Sequence, residues 1–163
     1  WIQAAVFSAH MRLHGIGPRE PWSYGAEAER VAMAALDLRY RLLPYLRDAT
    51  AQSARTGLPV QRPMVLAFPT DRAAWAFEDQ FMFGDDLLVA PCLNPQGRVQ
   101  VYLPAGEWRR FPGREPFGGG RTYDLQLGVD EFAVFARAGS RIPLAGAAQP
   151  LRGRIMAADS WTA

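Results

Sequence analysis

The chain has 163 residues, 49% hydrophobic and 21% charged, the balance of a globular protein with ample material for a buried core. Net charge is +2 and every cation is an arginine, scattered along the chain, so the basic stripe that nucleic-acid binding requires is missing. The single cysteine excludes an internal disulfide, and no apolar run is long enough for a membrane-spanning helix, so neither nucleic acid nor a membrane is an expected partner.

Trp1–Phe7 is apolar with one Gln and too short to classify by period. Ser8–Trp22 follows, dense in polar and aromatic groups: His10, Arg12, His14, Arg19, Glu20 and Trp22. Gly15, Gly17, Pro18 and Pro21 interrupt regular structure, so Leu13–Trp22 is expected to be a loop. Apolar residues then recur at Val31, Ala35, Leu38, Leu42, Tyr45 and Ala49, spacings of three and four that define one face of an α-helix. Glu27 and Glu29 suit its first turn, and Arg55 and Gly57 its end. Pro44 inside this pattern predicts a kink or break near Leu43. Arg30, Arg39, Arg41 and Arg47 are expected to lie on a solvated face or in structural pairs. Leu58–Phe68 reads as a strand after a short link, so residues 1–68 have the grammar of an α/β unit.

The grammar changes between Asp71 and Asp79. Short apolar or alternating runs follow at Gln80–Phe83, Leu87–Cys92, Arg98–Leu103, Glu107–Phe111, Thr122–Leu127, Glu131–Ala136 and Arg141–Leu144, separated by Gly, Pro, Asn and Asp. This predicts an antiparallel β-sandwich. The tail from Ala145 to Ala163 has no clear pattern.

Little of the chemistry of a complete active site is present. There is no Gly-x-Ser-x-Gly elbow. Cys92 lies in the apolar run Leu87–Leu93 and reads as a small core residue. One Cys with two His makes no zinc signature, so no metal or other cofactor is expected. Gly118-Gly119-Gly120 lacks the helix and the Lys-Ser/Thr of a phosphate loop. Asp85-Asp86 reads as a turn, because adjacent carboxylates in a turn point apart. His14 is the strongest candidate for ligand contact, since a neutral imidazole both donates and accepts hydrogen bonds. The competing reading makes Arg19-Glu20 a local ion pair, packs Trp22 on the scaffold and leaves His14 structural.

The order of motifs carries a family resemblance. Trp1-Ile2-Gln3 with Phe7-Ser8, then Met11-Arg12-x-His14-Gly15, then Arg19-Glu20-Pro21-Trp22 resemble the late barrel segment of family 31 glycoside hydrolases, the α-glucosidase and α-xylosidase family. The similarity continues through Arg39-Tyr40-Arg41-Leu42-Leu43-Pro44-Tyr45-Leu46, Gly57–Pro63, Phe68-Pro69-x-Asp71, Asp79–Gly84, Leu88-Val89-Ala90-Pro91, Val101–Pro104 and Arg137–Ser140. It departs at Ala9, His10 and Arg47, where the family often has Pro, an apolar residue and Tyr.

The resemblance implies the last part of a (β/α)8 TIM barrel over residues 1–76, a proximal antiparallel β-sandwich domain over 77–145, and a further segment or truncated tail over 146–163. It implies a retaining α-glycosidase acting on terminal α-linked glucose or xylose, with a carbohydrate substrate. In the family one aspartate is the nucleophile and another the acid/base. Both lie upstream of the Trp-x-Gln segment, so the resemblance assigns no catalytic residue here and the fragment alone is expected to be inactive. The residue that carries over is His14, as a contact to sugar hydroxyls; Arg12 is expected to be structural. The alternatives are a lyase or transglycosylase of the same family, or a non-catalytic sugar-binding or scaffold module using Trp108, Phe111, Phe117 or Tyr123, aromatics that also read as core. The chain begins with Trp1, so an upstream part is expected to be missing. With one thiol and no visible signal peptide, a cytoplasmic setting is expected.

Overall fold

The computed structural model describes residues 1–146 and the backbone of residues 158–162. Chain order begins with a short helix α1 (Ile2–Val6), an irregular strap, and a 3-10 turn at Pro21–Tyr24. Helices α2 (Ala26–Arg41) and α3 (Leu43–Thr56) follow. Next come strand β1 (Gln61–Pro63), a helical turn α4 (Met64–Ala67) and a 3-10 turn at Ala74–Ala76. The rest is β: β2 (Phe81–Phe83), β3 (Leu87–Val89), β4 (Arg98–Leu103), β5 (Glu107–Arg110), β6 (Pro116–Gly118), β7 (Arg121–Gln126), β8 (Val134–Arg137), β9 (Arg141–Ala145) and β10 (Ala158–Thr162).

The helical pattern divides where proline requires it. Pro44 falls in the first turn of α3, where its missing N–H would have no partner in any case. Leu42 stays helical and joins the two helices, donating to the Leu38 carbonyl at 3.0 Å and accepting from Leu46 at 2.9 Å. Gly57 ends α3 in the left-handed conformation, at φ 76°.

Six strands form one antiparallel sheet in the order β1-β2-β3-β8-β5-β6. Side chains alternate between its faces. Phe83, Leu87, Val89, Val134 and Ala136 face a core completed by Phe7, Ala35, Leu38, Leu42 and Tyr45 of the helical segment and by Ile142 and Leu144 of β9. Met82, Leu88, Phe135 and Trp108 face the opposite way, into a core completed by Val99, Val101 and Leu103 of β4. A sheet covered on both faces needs apolar residues at successive positions, hence the unbroken Leu87-Leu88-Val89. The β layer of the sandwich is the β4–β7 pair; helices cover the other face.

Two expectations are corrected. Leu58–Phe68 is not one strand: Pro59 and Pro63 lack ladder donors, so pairing is confined to Gln61–Pro63 at the sheet edge, and the chain then turns helical. β1 pairs antiparallel with β2, with Arg62 opposite Met82, and so belongs to the antiparallel sheet. Apart from Gly146, the 146–163 tail is described only over β10, which pairs antiparallel with β9; the remainder lies outside the described residues. β6 was absent from the expected strands because Pro116, Phe117 and Gly118 carry no alternating pattern.

The glycine triplet has a packing role. Gly119 donates to the Gly106 carbonyl at 2.7 Å, and Gly120 to Leu103 at 2.7 Å, with Gly120 at φ 75°. A Cβ on Gly119 would overlap the backbone carbonyl oxygens of Pro104 and Gly106, which cannot swing aside. Gly119→Ala is expected to lower stability by about 2 kcal/mol through overpacking, read as a shift in the urea midpoint.

Asp85 and Asp86 sit in the β2–β3 turn and point to different partners. Asp85 accepts from Arg62 and, at 2.6 Å, from Gln52 of α3; Asp86 accepts from the Ser140 hydroxyl at 2.8 Å. Burial opposes ionisation of Asp85, but hydrogen bonds from Gln52 and Arg62 and the charges of Arg62 and Arg137 outweigh it, holding the carboxyl below its usual range. A depressed folded-state value means that the contribution is present above the unfolded value of about 3.9 and is lost as pH falls through the folded one. The side chain is 51% exposed, so screening limits this contribution to about 1 kcal/mol. The stability gap between the native chain and Asp85→Asn should therefore be largest at neutral pH and shrink toward pH 3, measured by urea melts across that range.

Candidate functional site

The strap from Phe7 to Tyr24 is pinned at both ends and free in the middle. At its start Phe7 is fully buried, in edge-to-face contact with Phe83 and Phe132 at 6.0 and 5.8 Å between ring centres. The Ser8 hydroxyl lies 2.6 Å from the carbonyls of both Ala5 and His10. Arg39 reaches from α2 to donate to the carbonyls of Val6 at 2.7 Å, Ser8 at 2.6 Å and Ala9 at 3.3 Å. Met11 packs against the helix-side core.

Downstream, the Arg19 guanidinium donates to the Pro18 carbonyl and the Tyr24 hydroxyl, both at 3.0 Å, and Tyr24 donates back to Pro18 at 3.2 Å. The Glu20 carboxylate accepts from the Arg19 backbone N–H at 3.0 Å and from Ser23 at 3.3 Å. Backbone N–H groups of Glu20 and Arg19, with Ser23, hold its carboxyl below the ordinary range.

His14 lies between these two anchors. Residues Met11–His14 have no regular structure, Gly15–Gly17 bend, and every residue from Arg12 to Glu20 is exposed. The strap thus presents the His14 imidazole, together with Arg12, Leu13 and Ile16, to the outside. The structural alternative fails in two of its parts. Arg19 bonds to Pro18 and Tyr24 rather than pairing its guanidinium with Glu20, and Trp22 is 65% exposed instead of packing the loop down. His10 is exposed and tied only through its carbonyl.

The aromatic side chains that could have formed a sugar platform are used internally. Trp108 and Phe111 are fully buried; the Trp108 indole donates to the Pro104 carbonyl at 2.8 Å, and Arg137 lies 5.0 Å over its ring. Phe117 meets Tyr123 and Phe135 edge-on, both at 5.0 Å. Cys92 is half-buried at the edge of the second core, 3.4 Å from the Asn94 carbonyl. Among the described residues no three His, Cys, Asp or Glu side chains gather as a metal site, and no helix is long and apolar enough to cross a membrane.

Arg39 is the residue that sequence reasoning passed over, grouping it with other surface arginines. A signal existed: Ala35 and Leu42, at i−4 and i+3, both belong to the buried stripe, so Arg39 stands at its edge. Burial pushes its guanidinium below the usual arginine range.

Two family models match the chain in consecutive order. The glycosyl hydrolases family 31 TIM-barrel domain matches residues 1–49, and the glycosyl hydrolase family 31 C-terminal domain matches residues 57–142. The chain belongs to glycosyl hydrolase family 31. It is 36% identical over 149 residues to an alpha-xylosidase of Saccharolobus solfataricus, covering 90% of this chain and 20% of that protein. It is 32% identical to alpha-glucosidase 2 of Bacillus thermoamyloliquefaciens, covering 88% of this chain and 19% of the relative. Among solved structures, a family 31 dextranase of Flavobacterium johnsoniae complexed with glucose superposes with a TM-score of 0.92 at 31% identity, covering 99% of this chain and 21% of that one. The chain therefore spans about a fifth of the length of these relatives.

Proposed function

We propose that these residues are part of a retaining α-glycosidase that removes terminal α-linked glucose or xylose, in which residues 1–76 hold late elements of a (β/α)8 barrel and the strap carrying His14 faces the sugar. The observation that carries this reading is the match to the barrel-domain model over 1–49, followed at once by the match to the C-terminal-domain model over 57–142. The exposed, doubly anchored strap supports the role of His14: a side chain held clear of the core can meet a ligand without unpacking anything. The imidazole would donate to or accept from a sugar hydroxyl and strengthen that bond as charge develops in the transition state.

Retaining hydrolysis needs a carboxylate nucleophile and a second carboxyl group, alternately acid and base. Asp71, Asp85 and Asp86 are engaged in structural contacts, with Tyr102 at 2.9 Å, with Arg62 and Gln52, and with Ser140 respectively. We assign no catalytic role to them, and place the reacting pair upstream of Trp1. The isolated chain should then release no nitrophenol from aryl α-glucosides or α-xylosides, whereas the longer protein containing it should. Turnover by the isolated chain that survives His14→Ala would overturn this. The rival reading as a sugar-binding β module is disfavoured because Trp108, Phe111, Phe117 and Tyr123 are packed against other parts of the fold.

A further inference from the structure

We propose that Arg39 is a positioning residue for substrate recognition: its guanidinium clamps the strap and thereby sets where His14 stands. This rests on the reading of His14 as a sugar contact and extends it to a residue on another element.

The exit from α1 leaves carbonyl groups with no partner inside the helix. Three of the carbonyls at this exit, on Val6, Ser8 and Ala9, converge on the one side chain of Arg39. The guanidinium presents its donors in a rigid planar fork, Nη1 to Val6 and Ser8 and Nη2 to Ala9; a lysine ammonium also has three donors, but from one nitrogen on a flexible stem. The clamp operates where Arg39 is partly withdrawn from water, so each charge-assisted bond is stronger than at an open surface. Its other end is rigid, because α2 is fixed to the sheet through Ala35, Leu38 and Leu42.

The consequence reaches His14 along a short path. Ser8 passes the constraint to His10 through its carbonyl, and Met11, partly buried, packs against the helix-side core. Beyond Met11 the strap makes no regular structure until Pro21, so the direction in which it leaves Met11 determines where His14 projects. Downstream, the hydrogen bonds at Pro18 close on Arg19 and Tyr24, both exposed and both part of the strap itself, while Pro21 is buried where the strap runs into α2. Arg39 is thus the tie between the strap and the helix layer that is formed by a polar side chain. A misplacement of the order of an ångström at a substrate-positioning group is enough to cost much of its contribution.

The test has two arms. In this chain, Arg39→Met should raise amide hydrogen exchange of Phe7 and Ser8, whose N–H groups bond to Ala4 and Ala5, about tenfold or more and leave α3 unchanged, with Arg39→Lys in between. Unchanged exchange at Phe7 and Ser8 in both variants would overturn the clamp. In the longer enzyme, Arg39→Met should lower kcat/KM about tenfold with His14 present and less than about twofold in a His14→Ala background. Equal losses in both backgrounds would show that Arg39 does not act through His14. If His14→Ala alone changes nothing, the assigned role of His14 is what fails, and the exchange arm still decides the clamp. Should Arg39→Met not fold, Arg39→Lys carries both comparisons, and Lys activity equal to that of the native enzyme would overturn the proposal.

Discussion

Gln80→Leu should cost this chain about 3 kcal/mol of folding stability, seen as a large drop in the urea midpoint with little change in slope. Gln80 is one of two buried polar or charged side chains among the described residues, the other being Arg62. Its amide behaves like one residue of a strand. The Nε2 group donates to the Tyr102 carbonyl at 2.8 Å, and Oε1 accepts from the Tyr102 backbone N–H at 2.9 Å. Tyr102 lies in β4, and among the described residues β4 pairs with β7 alone, so the Gln80 amide takes the place of a strand partner on its other side. Leucine fills nearly the same space but leaves one buried donor and one buried acceptor unpaired, each costing about 1–3 kcal/mol. The phenol of Tyr102 fastens the same junction from the other side, donating to Asp71 at 2.9 Å, while Phe77 stacks on its ring at 5.5 Å. Gln80→Glu would be a sharper control: the protonated carboxyl keeps one donor and one acceptor and should stay near native, whereas the ionised form loses the donor to the Tyr102 carbonyl and should fall toward leucine as pH rises.

His14→Ala, made in the longer enzyme, should lower kcat/KM about a hundredfold, the scale of losing a hydrogen-bonding group aimed at a substrate in a closed site. Folding should be unaffected, because the imidazole is exposed and the strap is held elsewhere. Steady-state rates on an aryl α-glycoside, with thermal melting as the control, separate the two effects. An unchanged kcat/KM would remove His14 from the site. His14→Gln, which keeps a donor and an acceptor, should recover part of the loss.

The helices were legible because two simple signals agree. The three-and-four spacing from Val31 to Ala49 marks the buried stripe, and Pro44 marks the division that the structure places at Leu42. β4 was legible to the residue because Val99, Val101 and Leu103 alternate with polar neighbours. β1 and β6 were not, since Pro59, Pro63 and Gly118 erase the period while leaving pairing possible at a sheet edge. β10 depends wholly on β9, a partner that local sequence cannot announce. The site divides in the same way. A loop of polar and aromatic residues was apparent from Leu13 to Trp22, and it placed His14 ahead of His10, which stands in the more apolar run before it; the family motif then gave His14 its expected role. Arg39 was indistinguishable by type from Arg30, which pairs with Asp130 at 3.1 Å on the surface, and from Arg47 beside Asp48. Only its place at the rim of the stripe set it apart.

The sheet that is covered on both faces has a bearing on how the chain can reach its native state. Its central pairing joins β3 to β8, with Leu88 opposite Phe135, across the whole excursion through β4–β7. That pairing brings Val134 and Ala136 into the core under α2 and α3, and Phe135 into the core against β4, so both hydrophobic surfaces are completed by it. Short-range hairpins such as β2–β3 and β5–β6 can form early but cannot on their own retire either hydrophobic surface. Contacts of such high sequence separation slow folding as a rule, and until they form Leu87-Leu88-Val89 and Val134-Phe135-Ala136 stay open to wrong partners.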